Sequence, residues 1–156
     1  MLKTLIILDV DGVLNPIRAT GANGTHLTLT PERIELLKTL CEYGDIVWGS
    51  SWDPDSLYQL GAIAGLGGIP SAYRSDTSDP DADTPKLAPI RRWVEMRRAL
   101  GEFEWDAIVW IDDSLRDDAK EWLANLDIMA LPIIPEPAVG LTAEYVNEVR
   151  AFIDRQ

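Results

Sequence analysis

Residues 4–16 read Thr4-Leu5-Ile6-Ile7-Leu8-Asp9-Val10-Asp11-Gly12-Val13-Leu14-Asn15-Pro16. The unbroken aliphatic run Leu5 to Leu8 predicts a strand buried on both faces, as in the middle of a parallel sheet. That strand runs into two carboxylates one residue apart. Side chains alternate along a strand, so if it extends to Asp9, then Asp9 and Asp11 share a face while Val10 points into the core. Gly12 then lets the chain turn sharply.

Working outward, residues 15–29 carry Gly21 and Gly24 followed by alternating Thr25, Leu27 and Leu29, which predicts a loop or small hairpin flap. Thr30-Pro31 opens a helix with Ile34, Leu37, Leu40 and Cys41 at helical spacing. Asp45 to Gly49 reads as a second strand delivering Ser50 and Ser51, and Asp53-Pro54 opens a helix with Leu57, Leu60 and Ala64. Residues 65–85 are rich in Gly, Pro, Ser and Asp and read as a long loop with a short strand at Ala72-Tyr73-Arg74. A helix follows with Pro89 as its first residue, Lys86 in the loop before it, and Ile90, Trp93, Val94 and Leu100 inward.

Trp105 to Ile111 is a third strand that ends in Asp112-Asp113, followed by a helix carrying Leu115, Ala119, Trp122 and Leu126. Ile128 to Ile134 is a further strand, and Thr142 caps a last helix with Val146, Val149 and Ile153. Strands alternating with helices define an α/β fold, a mainly parallel sheet with helices on both faces. Ligands of such sheets bind at the carboxyl ends of the strands, where Asp9, Asp11, Ser50, Asp112 and Asp113 converge.

The 156 residues suit a single domain with one site. A formal net charge of −12 opposes generic polyanion binding. Cys41 is the only cysteine, which excludes an intramolecular disulfide and a zinc site built from several thiolates. The short apolar N-terminus lacks the length and cleavage site of a signal peptide, and no apolar run reaches the ~20 residues of a membrane span. A cytoplasmic protein without membrane contact is expected. Asn23-Gly24-Thr25 is then a chance match to the glycosylation tripeptide.

Asp9, Asp11, Asp112 and Asp113 together would repel one another unless neutralised, and hard oxygen donors without histidine or thiolate favour a hard divalent cation, Mg2+. Magnesium keeps positions for water or phosphate oxygens, which points to a phosphorylated ligand. A carboxylate screened in this way can act as a nucleophile, the role assigned to Asp9. Asp11 is suited to general acid and base work. Ser50 and Lys86 supply a hydrogen bond and a fixed positive charge to the phosphoryl group, with Gly12 and Ser51 as the other phosphate-site candidates.

The stretch Asp9-Val10-Asp11-Gly12-Val13 resembles the first motif of the haloacid dehalogenase (HAD) superfamily. The resemblance continues through a serine after the second strand (Ser50 or Ser51), a lysine before a later helix (Lys86) and the acidic pair Asp112-Asp113, in the family's order. Val47-Trp48-Gly49-Ser50-Ser51-Trp52, Val109-Trp110-Ile111-Asp112-Asp113 and Gly140-Leu141-Thr142 are similar to a compact HAD branch associated with RNA-repair proteins. The resemblance implies a Rossmann-like core and a magnesium-dependent phosphatase. Neither interval between motifs has room for a large cap domain, so an open site is expected. The substrate would be a phosphorylated small molecule or a nucleic-acid end, cleaved through an aspartyl-phosphate at Asp9. Asp9, Asp112, Asp113 and the backbone carbonyl of Asp11 would hold the metal. A non-catalytic phosphate- or partner-binding module is the alternative from a different class.

Other residues have plainer readings. Asp117 and Asp118 read as a solvated helix face, His26 as a turn residue, and Arg91, Arg92, Arg97 and Arg98 as a solvated basic face. Trp48, Trp93, Trp110 and Trp122 fall on core positions; Trp52 is the tryptophan placed to meet a substrate. The sequence leaves the oligomeric state open.

Overall fold

A computed structural model describes residues 2–16 and 29–155. The expected Asn23-Gly24-Thr25 turn, His26 and nearly all of the expected flap lie outside the described residues. The elements follow in the order β1 (Thr4–Leu8), α1 (Pro31–Tyr43), β2 (Asp45–Trp48), α2 (Pro54–Ile63), α3 (Leu87–Ala99), β3 (Ala107–Ile111), α4 (Asp117–Ala124), β4 (Met129–Ile133) and α5 (Ala143–Ile153). Four parallel strands form a sheet in the order β2-β1-β3-β4. The α/β Rossmann-like class read from the sequence is the one observed, and no large extra domain interrupts the described residues.

The aliphatic run explains why β1 is central. All five residues of β1 are buried, and Leu5 to Leu8 are wholly inaccessible, a placement that requires cover on both faces. Alternation then sorts the core into two layers. Ile6, Leu8, Trp48, Val109 and Ile111 pack with residues of α1, α2 and α5, including Leu40, Leu60 and Val149. Leu5, Ile7, Val47, Ile108 and Trp110 pack with α3, α4 and their flanks through Leu87, Ile90, Val94, Leu115 and Leu123. Each fully buried aliphatic side chain of this kind contributes about 1.5–3 kcal/mol.

Helix starts follow local chemistry. The Thr30 hydroxyl accepts from the Arg33 N–H at 3.3 Å and the Asp53 carboxylate from the Ser56 N–H at 2.9 Å, each with proline next in the chain. The start of α3 differs from expectation. Lys86 is its cap and Pro89 lies within its first turn, where a missing N–H costs no intrahelical bond. Leu100 follows the helix and is 66% exposed, because α3 has ended before that position can turn inward. Thr142 occupies the cap of α5 without a side-chain capping bond.

Residues 65–85 form a long connection without a strand at Ala72-Tyr73-Arg74. A single bridge pairs Trp48 with Ser71, through Trp48 N–H to the Pro70 carbonyl and Ala72 N–H to the Trp48 carbonyl, both 2.8 Å. Beyond it the chain enters a 3-10 turn at Ser75–Thr77 instead of extending along β2. No helix among the described residues is long and apolar enough to cross a membrane.

From β1 the chain crosses to β2 on one side, and returns over β1 to β3 on the other. The connections after β1 and β3 therefore leave the sheet in opposite directions and open a crevice between the carboxyl ends of those strands. Asp9 and the Asp112-Asp113 pair stand at that crevice.

Candidate active site

Asp9 is the first residue beyond β1. Its N–H donates to the Ile111 carbonyl at 3.0 Å, continuing the sheet, and its side chain is buried. Asp112 occupies the equivalent position beyond β3, where its N–H donates to the Ile133 carbonyl at 3.0 Å, and it is wholly buried. Both carboxylates face the α3/α4 layer, opposite Val10 and Ile111. Asp113 follows and is half-buried. Oxygens of Asp9, Asp112 and Asp113 lie within 4.8 Å of one another.

Lys86 enters this group from the cap of α3. Its ammonium is 2.9 Å from Asp9 Oδ1 and 3.0 Å from Asp112 Oδ2, and it donates to the Gly49 carbonyl at 2.8 Å. It therefore ties together the ends of β1, β2 and β3. One ammonium cannot neutralise three carboxylates. Burial, then the charge of Asp112, push the Asp9 carboxyl well above the usual carboxylate range, although Lys86 pulls the other way. Burial and Asp112 raise Asp113 as well. Burial by itself would lower the Lys86 ammonium, but Asp9 and Asp112 outweigh it and raise it. The surplus negative charge, the all-oxygen donor set and its closeness fit a hard divalent cation.

The remaining bonds lock the acids in place. Asp9 Oδ1 also accepts from the Val10 N–H at 2.8 Å. Asp112 Oδ1 accepts from the Ser114 N–H at 2.9 Å and the Ser114 hydroxyl at 2.6 Å. The short turn after β1 is closed by the Gly12 N–H to the Asn15 carbonyl at 2.8 Å and by the Val13 and Asn15 N–H groups to the Val10 carbonyl. Gly12 adopts φ 77°, and a Cβ there would lie 2.4 Å from the Asp113 carboxyl carbon. Glycine is needed at this point both for the left-handed backbone and for room beside Asp113.

The expected cluster of four carboxylates is a group of three. β1 stops at Leu8, and the turn takes the Asp11 carboxylate away from the others. Its Oδ2 accepts from the Trp52 indole N–H at 2.9 Å and its Oδ1 from the Asn15 side-chain amide at 3.2 Å. Of the two serines, Ser50 is buried with its hydroxyl accepting from the Trp52 N–H at 3.1 Å, whereas Ser51 is exposed. The other tryptophans divide as expected: Trp48 and Trp110 are fully buried, and Trp93 and Trp122 pack against the second core layer.

Asp117 is exposed as expected, whereas Asp118 is half-buried and tied to another segment. It accepts from the Thr84 N–H at 2.9 Å and the Thr84 hydroxyl at 2.6 Å, and Thr84 in turn accepts from the Arg116 N–H at 2.9 Å. Thr84 is wholly buried two residues before Lys86, so Asp118 anchors the segment that delivers the lysine. No spacing in the sequence signals that pairing across 34 residues. On the basic helix face Arg91 and Arg92 are exposed as expected, whereas Arg97, which lies over the Trp93 ring at 3.8 Å, and Arg98, which pairs with Asp127, are half-buried.

Fold and site thus define a Rossmann-like α/β protein with an acidic, cation-compatible centre at the switch point of its sheet. The family described as the HAD domain in Swiss Army Knife RNA repair proteins matches residues 5–146, which span β1 to the first turn of α5, and the chain belongs to that family. No curated protein matches the chain.

Proposed function

We propose that the protein is a Mg2+-dependent phosphohydrolase that cleaves a phosphomonoester through an aspartyl-phosphate on Asp9. The observation that carries this reading is the buried Asp9 carboxylate joined by Lys86 to Asp112 at the crevice between β1 and β3. Lys86 and the Val10 N–H fix Asp9 Oδ1, leaving Oδ2 as the oxygen that attacks phosphorus. As that O–P bond forms, the ester P–O bond breaks and Asp11 gives its proton to the leaving oxygen. The Asp11 carboxylate then takes a proton from water, whose oxygen attacks phosphorus and releases inorganic phosphate and Asp9. The Ser50 hydroxyl donates to a phosphoryl oxygen and the Lys86 charge attracts the phosphoryl group, whereas the Gly12 N–H is engaged by the Asn15 carbonyl and shapes the turn, and the exposed Ser51 stands at the rim. A divalent cation held by Asp9, Asp112 and Asp113, with the Asp11 backbone carbonyl as a further donor, would neutralise charge on the transferred group.

A nucleic-acid end, in particular a 3′-phosphate, is the second reading of the substrate. It is favoured by the RNA-repair association of the family and by the absence of a large cap among the described residues, and opposed by the net charge of −12. A non-catalytic binding module is less favoured, because retaining three crowded carboxylates and a shared lysine has a use only where charge must be managed. The deciding experiment is phosphate release from small phosphomonoesters and from 3′- and 5′-phosphorylated oligonucleotides, with Mg2+ and with EDTA. Mg2+-dependent release that is abolished in folded Asp9→Asn supports the mechanism; full activity in Asp9→Asn overturns it.

A further inference from the structure

Trp52 stands two residues after the buried serine at the end of β2 and reaches across to the turn after β1. Its backbone N–H is held by the Ser50 hydroxyl at 3.1 Å, its half-buried ring packs against the first core layer, and its indole N–H meets Asp11 Oδ2 at 2.9 Å. Three anchors fix one side chain in one orientation. Asn15, from the turn itself, holds the other oxygen of the same carboxylate at 3.2 Å.

We infer that Trp52 is a positioning residue that orients the Asp11 carboxyl for proton transfer to the leaving oxygen and from the attacking water, an inference that rests on the phosphohydrolase reading above. Indole can only donate, so it selects an oxygen that carries no proton and aligns the carboxyl plane. Each carboxyl oxygen has two acceptor directions, and one bond on each leaves a direction free. Trp52 and Asn15 together therefore hold Asp11 at both ends without consuming the site at which the proton is exchanged. Asp9 is held by a buried ammonium and a backbone N–H, whereas Asp11 relies on two neutral side chains from separate segments. Its orientation depends on the rim in a way that Asp9's does not.

Proton donation matters most when the departing oxygen is a strong base. Trp52→Phe, which keeps an aromatic ring and removes the N–H, should lower kcat/KM about tenfold or more for an alkyl phosphate. With 2,4-dinitrophenyl phosphate, whose leaving group departs without a proton, the loss should stay within about threefold. In an Asp11→Asn background the alkyl-phosphate loss from Trp52→Phe should disappear, because the group that it orients no longer transfers a proton. If Trp52→Phe does not fold, tryptophan's benzothiophene analogue at position 52 keeps the fused ring and lacks the N–H, and the same pattern is expected. Equal losses on both substrates, no loss on either, or an undiminished loss in the Asp11→Asn background would overturn the inference while leaving the phosphohydrolase reading intact. Wild-type protein that releases no phosphate from any substrate would overturn both.

Discussion

Asp9 and Asp11 differ more in surroundings than their spacing suggests. Asp9 closes a central strand, is buried, and sits with two other carboxylates around one ammonium. Asp11 lies in the turn beyond, where an indole and an amide hold it. The first is a place where charge is concentrated beyond what the protein itself neutralises; the second is a place where a carboxyl is aimed. Two identical side chains acquire different chemistry because the strand ends between them.

The largest expected effect concerns the cation of the first region. Lys86→Met leaves Asp9 and Asp112 without a counter-charge, and removal of one partner from such a buried group costs about 3–5 kcal/mol. Denaturant titration should show that loss in EDTA and a partial recovery with Mg2+. An unchanged midpoint would mean that the three acids do not need the lysine.

Gly12 joins the two regions, being next to Asp11 in the chain and against Asp113 in space. Gly12→Ala must carry a left-handed backbone, at about 1–2 kcal/mol, and must also displace the Asp113 carboxylate. The Mg2+ concentration for half-maximal phosphate release should rise. If the Mg2+ requirement stays as in the wild type, Asp113 is not a metal donor.

The smallest effect belongs to the support of Lys86. Burial works to raise the Asp118 carboxyl, but the bonds from Thr84 hold it below its ordinary value of 3.8. A lowered carboxylate stabilises the fold above its unfolded value, and that contribution is lost as pH falls through the folded value. Asp118→Asn should cost about 1 kcal/mol at pH 7 and progressively less below pH 4, as followed by thermal unfolding across pH. A cost independent of pH would assign Asp118 a purely packing role.

Much of this was readable from the chain. The aliphatic runs of β1 and β3 fixed which acids lie at strand ends, because burial on both faces leaves only one place for such strands. Thr30-Pro31 and Asp53-Pro54 marked helix starts through local bonds that need no tertiary partner. What escaped was decided by contacts between distant segments. The Asp11 side chain could be placed with Asp9 only by assuming that β1 continues, and the turn at Gly12 ends it. The bond from Trp52 to Asp11 and the clasp of Asp118 on Thr84 join residues whose separation carries no periodic signal. Residues 65–85 lack hydrophobic alternation, so nothing announced a single bridge at Ser71 in place of a strand at 72–74.

The order of the strands has a consequence for biogenesis. As the chain leaves the ribosome, Asp9 and Lys86 emerge before Ala107, so at that length the group around the Lys86 ammonium has only Asp9 of its three acids. Only when β3 docks along β1, pairing Thr4 with Ala107 and Leu8 with Ile111, do Asp112 and Asp113 arrive and tip the balance to excess negative charge. The turn after β1 waits longer still for the Leu141 N–H, which clasps the Val13 carbonyl at 2.8 Å. The excess of negative charge at the strand ends thus depends on β3 docking along β1, a pairing that a chain lacking β3 cannot make.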